Sequence, residues 1–236
     1  MSARDRERGR LPEVWSHRGR VGPGDEAEEN TVAAFVRASS AGVAGIELDV
    51  WLTADGAWVV HHDRGCRAGE LDRLTRLEVP SAIPDLSDAL AACSVGRVNV
   101  ELKVPASAPR AEARRLGSKL AQYLSMEGAV GAASGLVVSS FSRDAASAAL
   151  SIGVTTGLLL DAAPTRAELA SLAREGYWGV HVEHSRLGSQ QVAMSHEVGL
   201  RVVAWTADRR HDIERLVSRG VDVVISNLPT RAAQLR

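Results

Sequence analysis

The sequence predicts a single-domain α/β protein of the (β/α)8 barrel class. Three observations predict it: short apolar runs alternate with longer helical patterns through eight units, a glycine recurs just ahead of many of those runs, and two runs carry charge on one face only. With 236 residues, 45% of them hydrophobic, the chain can fill one core of that size, and no linker or low-complexity tract divides it.

The elements follow in chain order. Residues 1–12 are a charged extension containing Arg4, Asp5, Arg6, Glu7, Arg8 and Arg10; without an apolar stretch they exclude a secretory signal, and the barrel is expected over 13–236. Strands are expected at 13–17, 45–52, 97–103, 136–140, 154–160, 178–183, 201–205 and 221–226, with an extra β segment at 57–61 after the second. Asn30 and Thr31 are placed to cap the first helix, whose apolar face carries Val32, Phe35 and Val36. The clearest helix covers 109–126, where Ala113, Leu116, Leu120 and then Tyr123 or Leu124 recur three and four residues apart and form one stripe. Gly42, Gly153, Gly176, Gly199 and Gly220 fall just before strands, where a helix ends in a left-handed residue.

Periodicity alone does not separate a closed barrel from an open doubly wound sheet. Polar content favours the barrel. Ile46, Leu48 and Val50 share one face of their strand, so Glu47 and Asp49 share the other, and the 97–103 run likewise groups Asn99, Glu101 and Lys103. Aliphatics facing helices and charges facing a common interior fit a lumen that ends in a catalytic mouth.

Those charges point to chemistry. Glu47 and Asp49, two residues apart on one strand, start with carboxyls roughly 7 Å apart and can converge on one ion, with Glu101 supplying a third oxygen ligand. An all-oxygen set favours a hard divalent cation, Mg2+ or Ca2+. A solvated strand face is the plain alternative for the Glu-x-Asp pair, but unpaired charge in a buried parallel strand is costly. His17 and His62 stand where a strand and the extra β segment meet the mouth; imidazoles titrate near neutrality and suit a proton acceptor and a proton donor in catalysis. His61, on the opposite face from His62, is expected to point away. Arg18 and Lys103 can bind phosphoryl oxygens, the alternative being salt bridges to the carboxylates. Trp205 either walls the substrate or fills the barrel.

Composition limits the partners. The 28 basic and 29 acidic residues leave a formal charge of -1, so no global field recruits nucleic acid. No apolar run approaches the roughly 20 residues of a spanning helix, so contact with lipid is expected only from the surface. Cys66 and Cys93 match neither a disulfide framework nor a metal knuckle, which fits a reducing compartment, the cytoplasm.

The ordered runs His17-Arg18-Gly19, Glu29-Asn30-Thr31 with Ala34-Phe35, Gly45-Ile46-Glu47-Leu48-Asp49-Val50, Thr53-Ala54-Asp55-Gly56, Val59-Val60-His61-His62-Asp63 and Glu101-Leu102-Lys103 resemble the glycerophosphodiester phosphodiesterase family. Weaker matches continue through Ser140-Phe141, Ala204-Trp205-Thr206 and Gly220-Val221-Asp222, ending near Pro229. The resemblance implies a (β/α)8 barrel that hydrolyses glycerophosphodiesters to sn-glycerol 3-phosphate and an alcohol with a divalent cation. It also implies metal ligands at Glu47, Asp49 and Glu101, acid and base roles for His17 and His62, and phosphate binding by Arg18 and Lys103. Phe141, His181 and Glu183 are further candidates for substrate contact, the last two because they alternate with Val180 and Val182 toward the lumen.

Three departures stand out. Ala27-Glu28 precedes Glu29 where the family usually has a proline, and Ser226-Asn227-Leu228-Pro229 replaces the usual Thr-Asp-x-Pro ending. Residues 64–83 are a short segment where relatives carry a larger capping insertion, and an uncapped mouth admits a bulkier diester. A lysophospholipase D-type hydrolase therefore stands beside the first reading; a third, a non-catalytic barrel that binds phosphorylated ligands, would be marked by loss of a histidine or carboxylate, and all are present. Whether water or the neighbouring glycerol hydroxyl attacks, and which histidine acts first, stay open at this level.

Overall fold

The computed structural model describes residues 11–22, 24, 28–127 and 135–234; most of the charged extension and Ala27 lie outside them. In chain order the strands are β1 (Glu13–His17), β2 (Gly45–Leu52), β3 (Trp58–Val60), β4 (Gly65–Cys66), β5 (Gly69–Glu70), β6 (Arg97–Leu102), β7 (Leu136–Ser140), β8 (Thr156–Leu160), β9 (Gly179–Glu183), β10 (Arg201–Trp205) and β11 (Val223–Ser226). β1, β2 and β6 to β11 run parallel, and β1 pairs with both β2 and β11, so the sheet closes and leaves no open edge among these eight. Helices lie between successive parallel strands, so the expected (β/α)8 barrel is the observed fold. All five glycines expected at helix ends have positive φ, from 73° to 93°.

Several strands are shorter than expected by one or two residues at an end. Val221 N still bonds Leu216 O of the preceding helix at 3.3 Å, so β11 starts two residues later than expected. Extra residues 57–61 contract to β3, antiparallel to the end of β2. Thr31 caps helix Val32–Ser40, accepting from Ala34 N; Asn30 is used elsewhere.

Alternation sorts the side chains into two layers. Outside, Ile46, Leu48, Val50, Val100 and Leu102 pack on Phe35, Leu120 and Leu124, while Val180, Val182, Val202 and Val224 pack on Leu169, Leu172, Ile213 and Leu216. Full burial of such a side chain contributes about 1.5–3 kcal/mol, which makes this shell the main source of stability. Inside, Trp15, Val137, Val203, Val223 and Ile225 fill the lumen. At the N-terminal ends of the strands Trp178 stacks on Trp15 with ring centres 6.3 Å apart, and the Arg97 and Arg201 guanidiniums cover it at 5.8 and 5.5 Å. This plug leaves the opposite end for chemistry.

Segment 64–83 forms the β4–β5 hairpin and a short 3-10 turn. It packs Leu71 and Val79 against Trp51 and Val59, and Arg64 clamps Asp72 with two bonds of 2.8 Å. No helix among the described residues is long and apolar enough to cross a membrane.

Candidate active site

The mouth is built around the turn that leaves β1. Arg18 (φ 55°) and Gly19 (φ 79°) both adopt left-handed backbone. A Cβ on Gly19 would come within 2.9 Å of Ala34 and Phe35, so glycine is required there for space as well as for φ. This turn points Arg18 N at Glu47, donating to its backbone oxygen at 2.9 Å and its Oε2 at 3.2 Å. Arg18 Nη1 lies 2.7 Å from Glu29 Oε1 and its Nε 3.2 Å from Asp49 Oδ2.

Glu47, Asp49 and Glu101 are brought together, each with a carboxylate oxygen within 4.8 Å of the others, and all three are buried. The register explains the meeting: Asp49 stands opposite Glu101 on adjacent strands, and Glu47 is one lumen-facing position behind Asp49. Lys103 Nζ reaches Asp49 Oδ1 at 2.8 Å and also contacts Glu101. Asn30, in left-handed backbone at φ 59°, donates from Nδ2 to Asp49 Oδ2 at 2.8 Å.

Their electrostatics divide the three. Burial, then the charges of Asp49 and Glu101, raise the Glu47 carboxyl well above the ordinary range. Burial also works against ionised Asp49, but Lys103, Arg18 and the Asn30 bond outweigh it and hold its carboxyl low. Glu101 is pushed up to about 7, by burial first, with Lys103 opposing. Glu47 Oε1 is buried without a hydrogen-bond partner. A buried acidic trio with such an orphaned oxygen fits a divalent cation bound through oxygen.

Of the two histidines, His17 sits against the trio, Nε2 3.9 Å from Glu47 Oε2, and its Nδ1 lies 2.8 Å from Asn227 Oδ1. Burial, then the Arg18 charge, lowers its pKa from the ordinary value, against the Asn227 bond. His62 stands at the rim, where His61 N donates to Asp49 O at 3.0 Å and Trp51 Nε1 to His62 O at 3.2 Å. Its ring, 39% exposed, meets Asp63 at 2.7 Å rather than the three carboxylates.

The remaining candidates spread out. Trp205 ends β10 with its Nε1–H buried and without a protein acceptor, and Phe141 stands edge-on to it at 5.6 Å. His181 is fully buried in the lumen, packed over Gly157. Glu183 caps the turn after β9 through Ser185 N at 3.1 Å. The sequence reading left four residues without a site role: Glu29, Asn30, Asp208 and Asn227. Glu29 and Asn30 lie in the Glu29-Asn30-Thr31 run and Asn227 in the Ser226-Asn227-Leu228-Pro229 ending; Asp208, three residues past a strand end, carried only its position on the catalytic side of a barrel as a signal.

Comparison with known proteins points to one family. A glycerophosphodiester phosphodiesterase from Caldanaerobacter subterraneus is 29% identical over 241 residues, covering 92% of this chain and 94% of that one. The crystal structure of a glycerophosphodiester phosphodiesterase from Parabacteroides distasonis superimposes with a TM-score of 0.83 at 22% identity, over 95% of this chain and 96% of that one. An Oleispira antarctica phosphodiesterase in complex with the product sn-glycerol-3-phosphate has a TM-score of 0.81 at 26% identity, again over 95% and 96%. Residues 17–231 match the model of the glycerophosphoryl diester phosphodiesterase family, which takes in every charged group of the mouth. The chain therefore belongs to the glycerophosphoryl diester phosphodiesterase family, a family of phosphoric diester hydrolases.

Proposed function

We propose that the protein hydrolyses glycerophosphodiesters to sn-glycerol 3-phosphate and an alcohol, with a divalent cation, Mg2+ or Ca2+, held by Glu47, Asp49 and Glu101. The carrying observation is the buried trio, gathered within 4.8 Å and flanked by Arg18, Lys103 and His17. Burial and mutual repulsion disfavour ionised Glu47 and Glu101, and a divalent ion would relieve that repulsion and add positive charge opposite a phosphodiester. When bound, the cation supplies polarisation of a phosphoryl oxygen. Arg18 offers paired N–H donors to the other oxygens, and Lys103 adds a point charge; Trp205, packed on the lumen cluster beside Phe141, walls the substrate side. His17 and His62 exchange protons with the attacking and leaving oxygens. The product named in the Oleispira complex supports sn-glycerol 3-phosphate as the released phosphate.

Residues 13–236 act in this reading as one catalytic unit, with 1–12 outside it, and the two free cysteines fit a cytoplasmic setting. A groove of about 600 Å3 is lined by Asp55, Arg64, Glu112, Arg115 and Lys119 and touches the charged mouth at Lys103 alone; we take it as room for a polar alcohol. Phe141, 49% exposed beside Trp205, favours the second reading, a lysophospholipid substrate. Assaying glycerophosphocholine against lysophosphatidylcholine by phosphorus NMR separates them, with faster turnover of the first expected. Activity should vanish with chelator and return with Mg2+ or Ca2+; turnover untouched by thorough metal removal defeats the cation role. Full activity in both His17→Ala and His62→Ala defeats the acid–base pair.

A further inference from the structure

The nitrogen of His17 that faces away from the carboxylates is anchored by a chain of two residues. Asn227, just past β11, places Oδ1 2.8 Å from His17 Nδ1. Asp208, in the loop after β10, receives Asn227 Nδ2 at 2.8 Å and Asn227 N at 2.7 Å, and Ser226 Oγ also donates to it at 2.9 Å. A carboxylate only accepts, so the Asn227 amide must turn its NH2 to Asp208 and its oxygen to the imidazole. That oxygen also only accepts, so Nδ1 of His17 carries a hydrogen. In the neutral ring the lone pair is then on Nε2, the nitrogen 3.9 Å from Glu47 Oε2.

We propose that Asp208 and Asn227 are positioning residues for His17, a carboxylate–amide–imidazole chain that holds the ring in the Nδ1–H tautomer and presents Nε2 to the phosphodiester. The inference rests on the reading of His17 as a proton-transfer group. The amide serves both states of the ring, since Nδ1–H donates to the same oxygen whether or not Nε2 is protonated. Asp208 acts at one remove: an amide with two similar neighbours can flip, whereas one neighbour that only accepts fixes its orientation. The three residues come from the ends of β1 and β11 and the loop after β10, adjacent strands at the catalytic end, so barrel closure itself sets their spacing.

The test reads the tautomer without substrate. With 15N-labelled histidine, a two-bond proton–nitrogen correlation spectrum distinguishes the two neutral tautomers, and the His17 signals are those missing from His17→Gln. At a pH where the ring is neutral the unaltered protein should show the Nδ1–H pattern. Asp208→Asn lets the Asn227 amide turn round and should move the pattern toward Nε2–H, and Asn227→Leu should give a mixture. Both variants should lose about 10- to 100-fold in kcat on glycerophosphocholine with KM within about twofold, as befits misplacement of a group worth about 10²–10⁴. An Nε2–H pattern in the unaltered protein overturns the proposal. So does an unchanged pattern with unchanged kcat in folded Asp208→Asn. A protein inactive on all diesters but showing the Nδ1–H pattern overturns the hydrolase reading while leaving the chain of contacts standing, so the two failures are distinct.

Discussion

His181 lies in the lumen with both ring nitrogens buried and unpartnered, and burial pushes its pKa down to about 3 from 6.5. The unfolded chain therefore takes up a proton below about 6.5 that the folded ring refuses until about 3. The stability this neutral ring permits is complete above pH 6.5 and is lost as pH falls through that window. Replacing the ring by an apolar group of similar size, His181→Leu, should make stability less pH-dependent, by about 2 kcal/mol between pH 7 and 5, at about 1.4 kcal/mol per unit. Urea unfolding of both proteins at the two pH values checks this; parallel pH profiles would sink it. Asn30 presents a different case, since its amide is committed to Asp49 and its backbone to φ 59°. Asn30→Gly keeps the backbone and deletes the amide, so divalent-cation affinity should weaken about 10-fold, as for other partners of ligating carboxylates. Calorimetric titration with Mg2+ and Ca2+ measures it, and an unchanged Kd would free Asn30 of that role.

Between elements, helix Arg110–Met126 packs against helix Arg143–Ser151, where Gly117 lies directly on the Ala145 carbonyl. Helix propensity alone predicts that Gly117→Ala stabilises by about 1 kcal/mol. The new methyl would instead strike backbone that cannot yield as a side-chain end does, so a net loss of about 1–3 kcal/mol is expected. Chemical denaturation decides the sign, and a stabilised variant would mean that the helices separate at little cost. The stripe that identified the first of these helices was legible in sequence, because spacings of three and four belong to one helix. Which glycine touches which carbonyl was not, because that contact belongs to two.

The divalent cation proposed for the acidic trio should stabilise the whole molecule. Ligand that binds only the folded chain adds about 2.7 kcal/mol at a hundredfold excess over Kd, which for a barrel of this size raises Tm by about 5–10 °C. Glu47→Gln should abolish that rise without lowering the metal-free Tm, because burial and two neighbouring carboxylates already disfavour the Glu47 charge. Scanning fluorimetry with and without Mg2+ or Ca2+ tests both statements, and an equal shift in the variant would move the cation elsewhere. The sequence by itself determined the fold class, the lumen-facing trio and the cations beside it, since two-residue alternation and helical spacing are local properties that the chain displays wherever it folds. Only the tertiary structure decided that Asp49 is served by Asn30, that His181 lies below the reach of solvent, and that His17 is anchored by a residue 210 positions away. Those facts depend on which strand ends become neighbours when the last strand closes against the first, and hydrogen-bond partners chosen by closure leave no periodic trace in the chain.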